Sequence, residues 1–312
     1  MACLDVALAG LAGADFLSSS DLDRAEAEAL LTLAAQLKAG SQRFDLTGRV
    51  LGLIFSKAST RTRVSFTVAM ARLGGQTIDL LPLVTQVGRG EPIADTARVL
   101  SRYCDALAIR TFAQADLADY AHWASIPVIN ALTDEEHPCQ ALADFLTLRE
   151  AFGHLEGLTL AYVGDGNNVA HSLMLTGALL GVNVRIGTPE GFAPDSAVLE
   201  RAAALAGGRA EISVVHEPVA AVRGAHALYT DVWASMGQEQ AERERAFRGW
   251  CLDGELLAEA DSRAIVLHCL PAHRGKEISA AVIEGDQSRV FDQAENRMHV
   301  QQALLAALLA PG

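Results

Sequence analysis

The sequence lacks the long apolar runs of a membrane protein and the cysteine pattern of a disulfide-bonded or zinc-binding protein. None of its 312 residues lies in an apolar run of 18 or more, so we expect no membrane-spanning helix. The five cysteines are odd in number, scattered along the chain and never spaced as CxxC, which disfavours both disulfides and a zinc site. We therefore expect the protein in a reducing cytoplasm.

The N-terminus also lacks the features of a secretion signal. Residues 1–13 are apolar, but no basic region precedes them, and the polar stretch Ser18-Ser19-Ser20-Asp21 follows. We interpret this segment as a short helix or arm rather than as a signal peptide.

Positive charge is scarce in this chain. Lys and Arg number 25 against 38 Asp and Glu, and the formal net charge is −13, which disfavours nucleic acid and anionic membranes as partners. An acidic protein that binds a phosphate must concentrate its arginines locally. Half of the residues are hydrophobic, which is enough for two domains that each have a core.

Strand-like and helix-like segments alternate along almost the whole chain. The predicted strands are 50–55, 76–80, 106–110, 127–131, 159–163, 183–186, 211–215, 227–230 and 264–268. The predicted helices include 93–103, 113–124, 139–152, 169–180, 195–205, 219–223 and 294–310. Such alternation predicts an α/β fold with two doubly wound parallel-sheet domains, separated near residues 153–157.

We expect the first domain to comprise residues 1–148 and the second 149–293, with the terminal helix, about 294–312, packing back on the first. Ligands of open parallel sheets bind beyond the carboxyl ends of the strands, and polar motifs follow the predicted strands repeatedly. These positions predict one site in the cleft between the two domains.

The most informative motif is Ser59-Thr60-Arg61-Thr62-Arg63, which follows the strand 50–55 and leads into a helical segment. The first turn of a helix offers unpaired N–H groups and the positive end of its dipole, so it attracts phosphate. Arginine adds a planar fork that matches two phosphate oxygens. Taken alone, the motif fits an ordinary capped surface helix equally well.

A second motif, His137-Pro138-Cys139-Gln140, opens the predicted helix 139–152. Proline at a first helical position places His137 near the cap, at the strand ends. A neutral histidine can donate a hydrogen bond to a carbonyl oxygen, and Gln140 can hydrogen-bond an amide. A capping turn with a buried thiol explains the same four residues.

The motif Gly164-Asp165-Gly166-Asn167-Asn168 follows the first strand of the second domain and resembles a dinucleotide fingerprint. It is the strongest sign of an alternative function, a nicotinamide-dependent oxidoreductase. The paired asparagines suit a small polar ligand better than a pyrophosphate.

Three further segments carry polar residues after strands or before the last helix. Residues 231–239 contain an acid, a hydroxyl and a glycine that suit recognition of a cationic amine, although a solvated loop explains them too. Residues 268–275 place Cys269 beside His268 and His273, which leaves a cysteine hydrolase open. Residues 291–299 fit an ordinary capped helix that carries an arginine.

Together these motifs resemble the aspartate/ornithine carbamoyltransferase family, and its ornithine-type members in particular. The segments 59–63 and 137–140 resemble what the whole family shares. The ornithine-type features are residues 164–168, Asp231 with Ser235-Met236-Gly237, residues 268–271 and residues 295–297. The resemblance runs from about residue 55 to residue 297, in the family's order.

The resemblance implies transfer of the carbamoyl group from carbamoyl phosphate to the side-chain amine of L-ornithine, giving L-citrulline and phosphate in arginine biosynthesis. It implies no metal and no organic cofactor, because the mixed anhydride is already activated. It also implies a homotrimer or a multiple of trimers, in which Gln86 reaches a neighbouring subunit's site.

The resemblance also carries roles onto single residues. For carbamoyl phosphate these are Ser59, Thr60, Arg61, Thr62, Gln86, Arg110, His137, Pro138, Cys139, Gln140, Cys269, Leu270 and Arg297. For ornithine they are Asn168, Asp231, Ser235 and Met236. Those with an implied catalytic role are Arg61, Arg110, His137, Asp231 and Cys269.

Three alternatives remain open at this point. A sister carbamoyltransferase would use putrescine, lysine or an acylated ornithine in place of ornithine. A dehydrogenase would bind NAD at residues 164–170. A non-catalytic homologue would keep the fold but lack the phosphate-binding residues, which are all present in this chain.

Overall fold

The computed structural model describes residues 6–81, 90–234 and 240–310. The chain divides into two compact units. The first unit comprises the residues up to 146 together with those from 295 onward, and the second comprises residues 147–294.

Each unit contains a parallel sheet. In the first unit the strands are β1 (Val50–Phe55), β2 (Gln76–Leu80), β3 (Ala106–Arg110) and β4 (Val128–Leu132), in the order β2-β1-β3-β4. In the second unit they are β5 (Thr159–Val163), β6 (Asn183–Gly187), β7 (Ile212–Val215), β8 (Ala227–Thr230) and β9 (Ile265–His268), in the order β7-β6-β5-β8-β9. The predicted α/β class with two parallel sheets is confirmed.

Helices connect the strands, as parallel pairing requires. In chain order they are α1 (Arg24–Lys38), α2 (Arg61–Arg72), α3 (Ile93–Leu100), α4 (Gln114–Trp123), α5 (Pro138–Phe152), α6 (Asn168–Leu180), α7 (Ser196–Ala206), α8 (Pro218–Val222), α9 (Gln240–Ala246), α10 (Gly254–Ala258), α11 (Ala280–Ile283) and α12 (Val290–Leu309). No described helix is long and apolar enough to cross a bilayer.

Both sheets reverse their strand order at one place, and this decides where ligands can bind. In the first sheet the reversal lies between β1 and β3, where Phe55 pairs with Arg110. In the second it lies between β5 and β8, where Val163 pairs with Thr230. A crevice forms beyond the carboxyl ends of the strands at such a switch point. The motifs that follow β1, β5 and β8, and Arg110 at the end of β3, therefore lie where each sheet favours ligand binding.

The structure contains helices that were not predicted, and one predicted helix begins earlier than expected. Helix α1 was not predicted, although Asp23 caps it and exchanges hydrogen bonds with Glu26 in a capping box. The short helices α9, α10 and α11 were not predicted either, since each is too short for a clear apolar period. Helix α12 begins at Val290, four residues before the predicted start at residue 294.

An N-terminal segment covers the edge of the first sheet. Residues Val6–Leu11 form a 3-10 helix, and the chain then runs beside β4. The N–H of Phe16 donates to the carbonyl of Val128 at 2.8 Å, and the N–H of Asn130 donates to the carbonyl of Phe16 at 2.8 Å. Phe16 is 1% exposed, so its ring belongs to the core of the first unit.

Replacement of Phe16 by alanine is expected to destabilise the protein by about 3–5 kcal/mol, because a buried ring is removed and a cavity remains. Urea unfolding followed by tryptophan fluorescence and circular dichroism measures the change. The matched control is Phe291→Ala, because Phe291 is 62% exposed and its loss leaves no cavity. Equal effects of the two substitutions would contradict the placement of Phe16 in the core.

Candidate active site

Helix α2 begins without a side-chain cap, directly after the loop that follows β1. Thr60 precedes the helix in a helical conformation, and its side chain makes no capping hydrogen bond. Ser59 and Arg61 are half-buried on either side of it. The N–H groups of an uncapped first turn, together with the helix dipole, favour an anion at this position.

The last helix contributes a buried arginine to the same place. The Nη2 of Arg297 on α12 donates to Oγ1 of Thr62, the second residue of α2, at 2.6 Å. Both side chains are buried, with 3% and 1% exposed. Residues more than 230 positions apart thus meet within the first unit.

A neutral histidine lies among three arginines at this site. His137 precedes α5 and is buried, and its carbonyl accepts hydrogen bonds from the N–H groups of Gln140 and Ala141. Burial lowers the pKa of His137 well below its usual value, and the positive charges of Arg297, Arg110 and Arg61 lower it further. The imidazole is therefore uncharged near neutral pH and carries one N–H donor.

The other predicted residues of the first unit surround this group. The Nη1 of Arg110, at the end of β3, lies 3.5 Å from Oγ of Ser59. Gln140 is buried; its Nε2 donates to Asp144 at 2.8 Å, and its Oε1 accepts no hydrogen bond from the described residues. That amide oxygen is suited to accept an N–H of a bound ligand.

Cys139 is not a reactive thiol. Burial raises the pKa of Cys139 to about 12, and its Sγ lies 3.5 Å from the carbonyl oxygen of Asn130. Pro138 and Cys139 therefore shape the start of α5 and do not supply a nucleophile.

Arg63, the second arginine of the segment 59–63, makes contacts that stabilise the fold. Arg63 forms an ion pair with Asp79 of β2, and its guanidinium lies 5.4 Å from the centre of the Phe55 ring. Alternate positions on a helix face different directions, which separates Arg63 from Arg61. The predicted ligand residue Gln86 lies outside the described residues.

In the second unit, a buried carboxylate joins three of the predicted motifs. Asp231 follows β8 and is 6% exposed. Its Oδ1 accepts hydrogen bonds from Sγ of Cys269 at 3.0 Å and from the N–H of Val232 at 2.8 Å. Its Oδ2 accepts one from Nδ2 of Asn167 at 3.0 Å. A carboxylate held in this way is suited to bind an amine.

The glycine-rich segment 164–168 is closed to a pyrophosphate. Oδ1 of Asn167 accepts hydrogen bonds from the N–H groups of Val169 and Ala170, and this cap occupies the first turn of α6. A Cβ atom on Gly166 would lie 2.2 Å from the backbone nitrogen of Pro194, because residues 192–194 pack against this glycine. A dinucleotide would need the N–H groups of the first turn of α6 and the space beside Gly166 for its pyrophosphate. Since both are occupied, the structure argues against a nicotinamide-dependent oxidoreductase. Asn168, the first residue of α6, is half-buried.

A buried histidine–glutamate pair supports the segment after β9. The Nδ1 of His268 accepts from the N–H of Leu270 at 2.8 Å, so Nε2 carries the proton and donates to Glu277 at 3.2 Å. Burial alone would raise the pKa of Glu277, but hydrogen bonds from His268 and from backbone N–H groups outweigh it and lower this pKa. Leu270 has a φ of 60°, a left-handed conformation that this network stabilises.

These contacts also bear on two other possible roles of this segment, a cysteine hydrolase and a metal site. Cys269 donates a hydrogen bond to the carboxylate of Asp231, and the exposed His273 lies near Glu277, which favours a thiol held by a carboxylate over the activated thiolate of a cysteine hydrolase. Among the described residues, Asp231, His268 and Cys269 form a group with potential metal-ligand atoms within 4.8 Å. Because both nitrogens of His268 are engaged in hydrogen bonds, this group does not fit a metal.

An ion pair next to Asp231 was not predicted from the sequence. Arg243 of α9 pairs with Asp165 of the glycine-rich segment, and its Nη1 donates to the carbonyl of Trp233 at 3.0 Å. Burial raises the pKa of Asp165, and the charge of Arg243 opposes the rise. Arg243 thereby connects the segments that follow β5 and β8. Ser235 and Met236 lie outside the described residues.

Both units match models of one enzyme family. Residues 14–150 match the family's model described as aspartate/ornithine carbamoyltransferase, carbamoyl-P binding domain, and residues 156–308 match the one described as aspartate/ornithine carbamoyltransferase, Asp/Orn binding domain. The chain belongs to the aspartate/ornithine carbamoyltransferase family.

Within the family, this chain is similar to several ornithine carbamoyltransferases. That of Parasynechococcus marenigrum is 71% identical over 305 residues, which cover 97% of this chain and 96% of the relative. The solved structure of the Gloeobacter violaceus enzyme is 58% identical, covers 95% of this chain and 98% of its own, and has a TM-score of 0.88. That of the Pyrococcus furiosus enzyme is 47% identical, with 96% and 98% covered and a TM-score of 0.92.

The Arg243→Gln variant is expected to lose about 1–3 kcal/mol of stability, because the carboxylate of Asp165 remains buried without its cation. Removal of the cation raises the pKa of Asp165 further, so the folded state binds this proton at a higher pH. Because the ionised carboxylate causes the loss of stability, the difference in free energy of unfolding between the variant and the wild type should shrink as the pH falls from 8 to 5. Thermal unfolding across this pH range measures the effect.

Two variants make the measurement specific. Asp165→Asn added to Arg243→Gln should restore part of the lost stability, because the unpaired charge disappears. Arg245→Gln on the same helix is the matched control, since Arg245 is exposed. A loss in Arg243→Gln that does not vary with pH would contradict a role for the charge of Asp165.

Proposed function

We propose that this protein transfers the carbamoyl group of carbamoyl phosphate to the side-chain amine of L-ornithine, giving L-citrulline and phosphate. The observation that carries the proposal is the neutral His137, whose pKa is lowered by burial and further by Arg297, Arg110 and Arg61, beside the uncapped start of α2. Such a site offers strong positive charge for a phosphate and one neutral N–H donor for a carbonyl oxygen.

The first domain, residues 1–148 with 294–312, binds carbamoyl phosphate in this proposal. Ser59, Thr60 and Thr62 and the N–H groups of the first turn of α2 bind the phosphate oxygens. The three arginines neutralise the charge of the phosphate, which grows as the bond to the carbamoyl carbon breaks. These arginines and N–H donors are fixed before the reaction, so they stabilise the developing charge without reorganisation.

His137 and Gln140 recognise the carbamoyl end. The N–H of His137 donates to the carbonyl oxygen, which gains negative charge when the carbon becomes tetrahedral. The buried Oε1 of Gln140 accepts from the carbamoyl NH2. Pro138 and Cys139 shape the wall of this site, and the contacts of Cys269 and Leu270 with carbamoyl phosphate stay a prediction.

The second domain, residues 149–293, binds ornithine. Asp231 and Asn168 orient the amino acid, together with Ser235 and Met236, and Cys269 lies beside the reacting amine through its contact with Asp231. The neutral amine attacks the carbamoyl carbon, the carbon–oxygen bond to the phosphate breaks, and the leaving phosphate takes the amine proton. The cleft that would bring the two substrates together stays a prediction.

The same proposal covers assembly and cellular role. Strand β2 is an edge of its sheet, and Ile78 on it and Val64 on α2 expose 45% and 54% of their surface. Exposed apolar side chains along a sheet edge favour association with further copies. They support association with further copies. The homotrimer or multiple of trimers with Gln86 at a neighbour's site, the cytoplasmic location and the role in arginine biosynthesis stay predictions from the family resemblance.

The acceptor is tested by citrulline formation from carbamoyl phosphate and ornithine, run beside putrescine, lysine, N-acetylornithine and aspartate. Turnover with ornithine far above that with the other amines is expected, because in this proposal Asp231 and Asn168 bind a free amino acid with a side-chain amine. Preferred turnover of another amine would preserve the assignment of the phosphate site and overturn that of the acceptor. An absence of turnover with every acceptor would overturn the proposal.

The His137→Asn variant is expected to lower kcat about 100- to 1,000-fold, which is the usual cost of losing a donor to a developing oxyanion. Because the pKa of His137 lies well below 6.5, the imidazole stays neutral as the pH falls from 8.5 to 6.5. The pH profile of kcat should therefore keep its shape and shift only downward. Steady-state rates across this range measure both effects.

The control for this variant is His154→Asn, because His154 is exposed and its nearest polar contact is the carbonyl of Phe152. A decline of wild-type activity near pH 6.5 that disappears in His137→Asn would show that His137 titrates and would contradict its neutral role.

A further inference from the structure

The loop that carries His137 is short and tightly connected. It comprises residues 133–137 between β4 and α5. The N–H of Thr133 donates to the carbonyl of Glu136 at 2.9 Å, and Oγ1 of Thr133 accepts from the N–H of Glu136 at 3.2 Å. The backbone on the N-terminal side of His137 is therefore fixed by Glu136.

The side chain of Glu136 reaches a distant part of the chain. Its Oε1 accepts a hydrogen bond from Oγ of Ser18 at 2.5 Å, and its Oε2 accepts one from the N–H of Ser19 at 2.9 Å. Glu136 is 3% exposed and Ser19 is 2% exposed. A carboxylate that accepts hydrogen bonds with both oxygens has a defined position and orientation.

The partner segment is itself rigidly held. The carboxylate of Asp21 accepts hydrogen bonds from the N–H groups of Leu17 and Ser18 at 2.7 and 2.8 Å. Oγ of Ser18 also accepts from the N–H of Ser20 at 3.1 Å and lies 2.8 Å from Oγ of Ser20, while it donates to Glu136. With Phe16 paired to β4, residues 15–21 form a fixed support on the sheet edge.

A second connection runs from this support to the same loop. The carbonyl of Leu17 accepts hydrogen bonds from Nε2 of Gln114 at 3.1 Å and from Nδ2 of Asn130 at 2.8 Å. Oε1 of Gln114 then accepts from Oγ1 of Thr133 at 2.6 Å. Both ends of the loop before His137 are thus connected to residues 15–21.

We propose that residues 15–21 and Glu136 set the position of the His137 imidazole, so that Glu136 is a positioning residue for carbamoyl transfer. The inference rests on the proposed function, in which His137 donates to the carbonyl oxygen. Glu136 is the residue before His137, so a change in its backbone displaces the imidazole directly. A displacement of about 1 Å at a reacting centre is enough to cost up to 100-fold in rate.

The test compares Glu136→Gln, Ser18→Ala and Ser18→Thr by kcat, by KM for each substrate and by thermal unfolding. Glutamine keeps the shape of Glu136 but loses one acceptor, and alanine at position 18 removes the donor. Both are expected to lower kcat about 10-fold, with KM for ornithine unchanged. Threonine keeps the hydroxyl and suits the extended backbone at residue 18, so it should retain wild-type kcat.

The decisive comparison uses His137→Asn as the background. If Glu136 acts through His137, adding Glu136→Gln to His137→Asn should lower kcat no further. The matched control is Glu135→Gln, which makes the same charge change in the same loop on an exposed side chain and should leave kcat unchanged.

Two results would overturn the inference while the proposed function stands. One is wild-type kcat in Glu136→Gln protein that is fully folded at the assay temperature, even if its melting temperature is lower. The other is an equal reduction of kcat by Glu136→Gln in the wild-type and His137→Asn backgrounds. If the wild-type protein forms no citrulline, the proposed function fails and the inference fails with it.

Discussion

The burial of an uncharged imidazole among like-charged guanidinium groups is the constraint on which the first unit depends. Arg61, Arg110 and Arg297 come from three separate parts of the chain, and each lowers the pKa of His137. Three cations near one another repel, so the fold must hold them in place by other contacts. Thr62 binds Arg297, and the helices α2, α5 and α12 supply the rigid frame. The stored positive potential is available to an incoming dianion.

The second unit also has a parallel sheet, but it holds a buried carboxylate in place of buried cations. The buried carboxylate of Asp231 is held in position by hydrogen bonds from Cys269, from Asn167 and from the N–H of Val232 in its own loop. Asn167 has a double role, because one of its amide atoms caps α6 and the other contacts Asp231. Asn167 thus serves the structure, and Asn168 is the one of the pair with a proposed ligand contact.

The sequence predicted the strands well because parallel strands are short, apolar and bounded by turn residues. The ends of β1, β2, β3, β5 and β8 agree with the predicted ones. The motifs at these ends were also found, since residue type and position after a strand are visible in a sequence. Arg243, Glu136 and the His268–Glu277 pair were missed, because their roles come from contacts between distant residues and not from any local pattern. The capping box at Asp23 was visible and would have revealed α1.

The beginnings of α2 and α6 differ in their side-chain caps, and this difference affects how well each one attracts an anion. Both helices follow the first strand of a parallel sheet, and both therefore begin with free N–H groups in the simplest case. In α6 the side chain of Asn167 occupies these donors, whereas in α2 the side chain of Thr60 does not. An anion at the start of α6 would meet capped N–H groups near the carboxylate of Asp231, whereas the N–H groups at the start of α2 have no side-chain cap. Helix starts at equivalent places in the two sheets thus differ in their preference for an anion, and the cap formed by Asn167 contributes to this difference.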